Sequence, residues 1–318
     1  MFMLGLSAVL LATFRLVVAV PLRRDGVTAL STPEISSYAI YAQAIHSGGI
    51  LPALEDNELD MWWYVILQIT GIDAYGVYIE ACNIIPDFIP YAAGGDGATI
   101  PYWYIGYHAG SHSVVVSNQG SDFDHFQAII VNSRIDQKNL NSTLFPGISQ
   151  EVRAHSGFAD VQAISAEAKL AAVQSVMSNS GTSNITLTGH SLGGAISLLD
   201  SLYLSFNLPS ATIKVVTHGM PRVGNNEFAN LIDSKITDLS RITNMQDPVP
   251  ILPGRRLDYV HPSGEKHILG AGSWASCAGH DNTDNSCTTG AVPTIFHGNS
   301  KDHIGPYEGI YIGNDYCI

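Results

Sequence analysis

The sequence predicts an α/β fold in which a central, mostly parallel sheet is flanked by helices. Apolar, β-branched segments of strand length alternate with amphipathic segments of helical length, as in parallel α/β domains. No internal repeat or low-complexity linker interrupts the 318 residues. Hydrophobic residues make up 46% and charged residues 14%, so the chain can bury a substantial core and is not intrinsically disordered. We therefore expect one large domain.

The N-terminal half supplies the first elements of this fold. A helix is predicted from Thr32 to about residue 45, because threonine can cap it and proline occupies its first turn. Residues 56–71 fit either a helix or a strand. Residues 102–107 and 113–118 predict a pair of strands around a glycine-containing turn. Residues 122–131 predict a short helix, since Phe and Ile recur there at helical spacing.

The C-terminal half contains the centre of the sheet. Residues 159–179 form a long, alanine-rich amphipathic pattern that predicts a helix. Residues 185–188 are apolar and β-branched, which predicts a buried strand, and residues 195–205 place leucines at helical spacing. The alternation then continues with a strand over 213–217, a helix over 227–236 and a strand over 241–246.

The N-terminus indicates export. Residues 1–19 are mostly apolar and end in small residues, as in a secretory signal peptide, and an uncleaved membrane anchor is the alternative. Residues 20–31 are a possible short pro-segment, and the folded domain spans residues 32–318. We expect an extracellular protein with no membrane span after signal removal. Asn141 and Asn184 begin N-glycosylation sequons, which fits that location.

Cysteine usage also fits an oxidising compartment. The even number of cysteines predicts two disulfides, and the four residues are Cys82, Cys277, Cys287 and Cys317. Three pairings are possible. We favour Cys277 with Cys287, which closes a loop rich in Gly, Asn, Asp and Thr, and Cys82 with Cys317. The spacing fits no zinc-ligand pattern.

Net charge limits the possible partners. Lys and Arg number 15 against 28 Asp and Glu, which gives a formal charge of −13. This charge disfavours nucleic acids and anionic lipid surfaces as electrostatic partners, so we expect no nucleic-acid partner. Neutral lipids and neutral esters remain compatible with it. The oligomeric state is open.

The segment Gly-His-Ser-Leu-Gly, residues 189–193, lies between the predicted strand and helix. This context is typical of a nucleophile elbow, in which a sharp turn holds Ser191 in a strained conformation with its hydroxyl exposed for attack. Gly189 and Gly193 are needed where side chains would collide with backbone. The N–H of Leu192, at the helix start, is a natural oxyanion donor. The alternative is a glycine-rich strand-to-helix turn in which the serine has no catalytic role.

A serine nucleophile needs a histidine base and a carboxylate that orients it. Asp247 follows the strand predicted over residues 241–246 and precedes a proline, at the sheet edge where such folds place catalytic groups. A turn or capping role is its alternative. The candidate bases are the histidines that follow Asp247, namely His261, His267, His280, His297 and His303. His303 lies in a loop near the C-terminus, and His297 is its main competitor. His190 adjoins Ser191 too closely to act as base, so we expect it to pack or hydrogen-bond beside the turn.

Several segments together resemble one family, the secreted fungal class 3 lipases, which include feruloyl esterases. The matching segments are residues 189–195, 219–225, 244–250 and 302–307, with a further match at residues 155–158. The resemblance extends from about residue 75 to the C-terminus. It implies the α/β-hydrolase fold with a helical lid over about residues 122–131.

The resemblance also implies roles for particular residues. It favours His303 over His297 as the base and Asp247 as the acid. It implies that Ser121 is the second oxyanion residue beside Leu192, whereas a helix cap is the alternative role of Ser121. The sequence departs from the family at position 119, where glutamine replaces the usual arginine.

These features predict a secreted serine carboxylic-ester hydrolase that forms an acyl-enzyme on Ser191. The apolar lid pattern favours a triacylglycerol lipase acting on water-insoluble acylglycerols at an oil–water interface. A feruloyl or other soluble-ester esterase is the alternative within the family. A catalytically silent lipid-binding protein is a more remote alternative. We expect neither a metal nor an organic cofactor, because the serine mechanism requires none.

Overall fold

A computed structural model describes residues 27–30, 87–121 and 135–312, and for residues 27–30 it describes the backbone only. Several predictions lie outside these ranges. They are the signal peptide, the helix after Thr32, the segment 56–71, the lid over residues 122–131 and the pairing of Cys82 with Cys317.

The strands in the described ranges are, in chain order, β1 (Val27–Leu30), β2 (Phe88–Gly94), β3 (Trp103–His108), β4 (Ser113–Asn118), β5 (Gln137–Asn139), β6 (Arg153–His155), β7 (Asn184–His190), β8 (Thr212–His218), β9 (Asp238–Asn244), β10 (Glu265–Gly270) and β11 (Ser273–Cys277). Nine of them form one sheet, in the order β1-β11-β10-β9-β8-β7-β4-β3-β2. Strands β4, β7, β8, β9 and β10 run parallel, and the outer strands are antiparallel. β5 and β6 form a separate pair. The predicted mostly parallel sheet is confirmed.

Helices α1 (Ser156–Ser180), α2 (Leu192–Asn207) and α3 (Asn226–Lys235) lie in the connections between parallel strands. The short helices α4 (Thr288–Ala291) and α5 (Lys301–Ile304) follow β11, and single 3₁₀ turns form at Val249–Ile251, Arg255–Leu257 and Ile295–His297. None of the helices within the described ranges is both long and apolar enough to cross a bilayer.

The core is centred on β7 and α2. Leu187 of β7 is fully buried, as are Val116 and Val215 on the neighbouring strands. Every residue from 192 to 204 of α2 is buried, so this helix is enclosed on all faces between the sheet and its neighbours. Each fully buried Leu or Val side chain contributes about 1.5–3 kcal/mol. The turn that joins β7 to α2 is therefore held between two of the most rigidly packed elements.

Helix α1 begins at Ser156, three residues earlier than its apolar pattern predicts. The ring of His155 caps it, because the N–H of Phe158 donates to His155 Nδ1 at 3.4 Å and the two rings stack 4.0 Å apart. Burial lowers the pKa of His155 to about 4, so the ring stays neutral and can accept this hydrogen bond at neutral pH.

The disulfide predicted between Cys277 and Cys287 is present, with a Cα–Cα distance of 5.9 Å. It joins the end of β11 to the residue before α4. Residues 27–30, inside the range predicted as a pro-segment, pair with β11 as an antiparallel edge strand.

Candidate active site

Ser191 occupies the turn between β7 and α2. Its φ of 54° and ψ of −124° lie in a region that residues other than glycine rarely adopt. The turn is fixed by the backbone N–H of Ser191, which donates to the carbonyl of His218 at 2.9 Å. The hydroxyl is buried and has no hydrogen-bond partner among the described residues. A strained serine with an unengaged hydroxyl matches the geometry expected of a nucleophile elbow.

Two glycines make this turn possible. A β-carbon at Gly189 would collide with the backbone of Gly193, and one at Gly193 would collide with the carbonyl oxygen of Asn118. The start of α2 therefore lies in direct backbone contact with the end of β4. The first N–H groups of a helix lack intrahelical acceptors, so the N–H of Leu192 is available for a developing negative charge.

Asp247 follows β9 at the carboxyl edge of the sheet and is fully buried. Its two carboxylate oxygens have different partners. Oδ1 accepts from the backbone N–H of Val249 at 2.8 Å, and Oδ2 accepts from His303 Nδ1 at 2.9 Å. A bond to Nδ1 leaves Nε2 as the basic nitrogen of a neutral imidazole.

His303 lies on α5, and its backbone carbonyl accepts two side-chain hydrogen bonds. His190 Nε2 donates to the carbonyl oxygen of His303 at 2.7 Å, and the Tyr307 hydroxyl donates to the same oxygen at 3.0 Å. The preceding residue, Asp302, accepts at its carbonyl from Asn244 Nδ2 and at its carboxylate from Gln246 N–H. These bonds attach α5 to the end of β9 and to the turn that leads from it to Asp247.

Gly219 packs against the acid, the base and Tyr307. This residue has φ of +56°, and a β-carbon there would lie 3.0 Å from Asp247 Oδ2, 3.0 Å from His303 Cε1 and 2.6 Å from the Tyr307 hydroxyl. A larger residue would displace the acid, the base or the tyrosine, so glycine is required both for its conformation and for space.

The competing histidine, His297, lies elsewhere. It is exposed on its 3₁₀ turn, where its Nδ1 pairs with the hydroxyl of Thr294 at 2.8 Å. His190, expected to pack or hydrogen-bond beside the turn, does both, since its ring centroid lies 4.4 Å from that of His303.

Ser121 ends the first long described segment and is partly buried. The loop before it is fixed by Gln119, which replaces the arginine usual in the family. The side-chain oxygen of Gln119 accepts from Tyr102 N–H at 2.9 Å, and its own N–H donates to the Tyr102 carbonyl at 2.8 Å. The substitution therefore leaves this loop anchored to the residue before β3.

Sequence reasoning assigned no role to Tyr307, Gly219 or Asn244. All three fall inside the segments that carried the family resemblance, so the signal was present. Tyr307 is fully buried, and burial together with the nearby charge of Asp247 raises its pKa well above 10. Its hydroxyl thus remains a donor throughout the pH range in which the protein would work.

A strained serine and a buried Asp–His pair at the carboxyl edge of a mostly parallel sheet define a serine hydrolase of the α/β-hydrolase class. Residues 115–257 match the model of the family described as lipase (class 3). The chain belongs to this family of serine carboxylic-ester hydrolases.

Known proteins agree with this assignment. A secreted mono- and diacylglycerol lipase of Malassezia globosa, MDL2, is 31% identical over 210 residues, which cover 65% of this chain and 67% of the relative. A secreted mono- and diacylglycerol lipase of Gibberella zeae is 30% identical over 232 residues, 69% of each chain. Lipase II from Rhizopus niveus has the same fold, with a TM-score of 0.73 at 20% identity over 92% of this chain and 100% of that one.

Proposed function

We propose that the protein hydrolyses acylglycerol esters through an acyl-enzyme on Ser191. The observation that carries this proposal is the pairing of His303 with Asp247 at one edge of the sheet, together with the strained, unengaged hydroxyl of Ser191 at the same edge. This combination supports nucleophilic attack by serine.

In the proposed reaction, Ser191 attacks the ester carbonyl while His303 Nε2 accepts its proton. Asp247 holds the imidazole through Nδ1 and stabilises the imidazolium that forms. His303 then returns the proton to the leaving alcohol. Water, activated by the same histidine, attacks the acyl-enzyme, and the fatty acid leaves as Ser191 is restored.

The negative charge of each tetrahedral intermediate requires donors. We propose the N–H of Leu192 and the N–H and hydroxyl of Ser121 for this role. The packing of Gly193 on Asn118 supports it, because it brings the loop that leads to Ser121 beside the start of α2. Loss of one such donor typically lowers turnover by about 10²–10³-fold.

Triacylglycerols are the substrate expected from the family resemblance together with the apolar pattern of the predicted lid. The names of the curated relatives favour a narrower alternative, hydrolysis of mono- and diacylglycerols. Emulsified triolein, diolein and monoolein supplied at equal interfacial area separate the two. A feruloyl esterase would instead prefer a dissolved methyl ferulate.

Export from the cell and action at an oil–water interface complete the proposal. Relatives named as secreted support export, and the exposed side chain of Asn141 is compatible with a glycan. At the second sequon, Asn184 Nδ2 already donates to the carbonyl of His112 at 3.2 Å, which disfavours a glycan there. The signal peptide and the lid over residues 122–131 stay predictions.

The decisive experiment compares Ser191→Ala with Ser201→Ala. Ser201 is a buried serine on α2, the helix that follows Ser191, and its hydroxyl donates to the carbonyl of Leu198, away from the turn. We expect Ser191→Ala to lose at least about 10⁴-fold of tributyrin hydrolysis and all labelling by a fluorophosphonate. Ser201→Ala should retain both. Hydrolysis that survives Ser191→Ala would reject the mechanism.

A further inference from the structure

A buried ion pair links the two helices beside the nucleophile. Lys169 of α1 and Asp200 of α2 are 3% and 2% exposed in their side chains, and Nζ lies 2.7 Å from Oδ2. Burial lowers the pKa of Lys169, and the adjacent carboxylate opposes that shift. Gln162 Nε2 satisfies the second oxygen of Asp200 at 3.1 Å. Both charges are thus paired and hydrogen-bonded.

Asn118, the last residue of β4, is the third member of this cluster. Its Oδ1 accepts from Lys169 Nζ at 2.7 Å. Its Nδ2 donates to Asp200 Oδ2 at 3.0 Å and to Ser197 Oγ at 3.0 Å. The Ser197 hydroxyl in turn donates to the carbonyl of Thr188 on β7. The side chain of Asn118 therefore binds both helices and, through Ser197, the strand before the nucleophile.

Stability alone is a poor explanation for this arrangement. A buried ion pair pays a desolvation cost that often equals its attraction, and apolar residues of similar volume can replace such pairs without loss of stability. What an apolar replacement would not supply is a fixed position for the Asn118 backbone. That position matters, because the Asn118 carbonyl lies against the α-carbon of Gly193 and the chain continues from Asn118 to Ser121.

We propose that Lys169, Asp200 and Asn118 are positioning residues that set the distance between the two oxyanion donors, Ser121 and the N–H of Leu192. The cluster fixes the end of β4 against the first turn of α2, and each donor lies within three residues of that contact. The inference rests on the proposed esterase function. It extends the catalytic machinery to residues that touch neither substrate nor reacting atoms.

Two variants test the proposal. Lys169→Met/Asp200→Leu removes both charges together and so leaves no unpaired ion, whereas Asn118→Ala leaves the ion pair in place. A displacement of catalytic groups by about 1 Å can cost about 10²-fold in rate. For each variant we expect kcat on dissolved p-nitrophenyl butyrate to fall by about 10- to 10²-fold, with KM within about twofold of wild type. All rates are normalised to active sites titrated with a fluorophosphonate.

A second readout separates positioning from general loosening. An alkylboronic acid forms a tetrahedral adduct on the serine, so its affinity should fall in proportion to kcat/KM in both variants. In the variant that combines all three substitutions, the losses of kcat and of boronate affinity should be smaller than the sum of the separate losses in free energy. This is expected because all three residues act through one contact. Lys138→Met/Asp160→Leu is the matched control, since it removes an exposed pair that also involves α1 and should leave kcat unchanged.

The proposal is overturned if either variant folds cooperatively and retains the kcat and boronate affinity of wild type. Should the ion-pair variant not fold, Asn118→Ala decides alone. Failure of the esterase assignment itself would be seen in the wild-type protein, before any variant is compared. The wild-type protein would then neither hydrolyse the ester nor be labelled at Ser191.

Discussion

At the scale of single residues, the candidate site depends on how firmly its base is held. The carbonyl of His303 accepts from both His190 and Tyr307, and its imidazole is fixed by Asp247. A histidine that must accept and then return a proton gains from such restraint, because each transfer requires the same ring orientation. Mutation of the groups behind the base should therefore lower activity, although less than mutation of the base itself.

Tyr307→Phe tests this dependence. The substitution removes only the hydroxyl that donates to His303 and lies beside Asp247, and a net loss of about 0.5–1.5 kcal/mol is typical of one hydrogen bond. We expect kcat to fall by about three- to tenfold at unchanged KM. Tyr259→Phe is the control, because that buried hydroxyl bonds the carbonyl of Ile135 instead. Equal kcat in the two variants would contradict a positioning role.

Residue types alone identified the nucleophile and the acid as candidates but left five histidines open as the base, with His303 and His297 the main competitors. The choice between His303 and His297 depends on a contact across 56 positions of the chain, which no local pattern encodes. Family resemblance supplied that information. The buried Lys169–Asp200 pair escaped prediction for a related reason, since charged residues on amphipathic helices usually face solvent.

At the scale of elements, the long central strands and helices and the β3–β4 pair were predictable, whereas β1, β2, β10 and β11 were not. β7 and β8 are apolar or β-branched over most of their length, which local pattern detects. β10 instead begins with Glu265, which is buried because it faces Arg241 and accepts from the N–H of Thr288. A charged residue in a strand indicates exposure unless its partner is known.

One short element presents an apolar surface beside the site. In the turn Ile295–His297, Phe296 is 90% exposed. The chain just after this turn is held beside Asp247, because the N–H of Asn299 donates to the carbonyl of Gln246 at 2.7 Å. A large exposed aromatic at this position is well placed to enter a lipid surface.

Phe296→Asp should therefore separate activity on emulsions from activity on dissolved esters. Inserting one Phe into an apolar phase is worth about 1.5–3 kcal/mol. We expect at least a roughly tenfold lower rate on triolein emulsion at limiting interface, with kcat on dissolved p-nitrophenyl butyrate unchanged. Ile164→Asp, which alters an exposed apolar residue on α1, should affect neither rate. Parallel losses on both substrates would show damage to the site rather than to interfacial binding.

At the scale of the whole molecule, folding lowers the pKa of three buried histidines within the part of the chain that the structure describes. Burial lowers the pKa of His155 and of His267 to about 4, and burial beside Arg241 lowers that of His261 well below 6.5. In the unfolded chain these rings titrate near 6.5. Between about pH 6.5 and 4 the unfolded state therefore binds protons that the folded state does not. These groups therefore leave the free energy of unfolding unchanged above about pH 6.5 and lower it as the pH falls from 6.5 towards 4.

Urea unfolding between pH 7 and 4 measures this loss. Each proton taken up only on unfolding lowers the free energy of unfolding by about 1.4 kcal/mol per pH unit. His267→Gln removes one such proton while keeping a side chain that can bond the hydroxyl of Thr243, the partner of His267 at 2.8 Å. We expect the free energy of unfolding of the variant to fall less steeply as the pH is lowered. The difference in slope should correspond to about one proton fewer taken up on unfolding. Identical slopes would mean that His267 binds a proton as readily in the folded protein as in the unfolded chain, and the acid sensitivity would then have to arise from other groups.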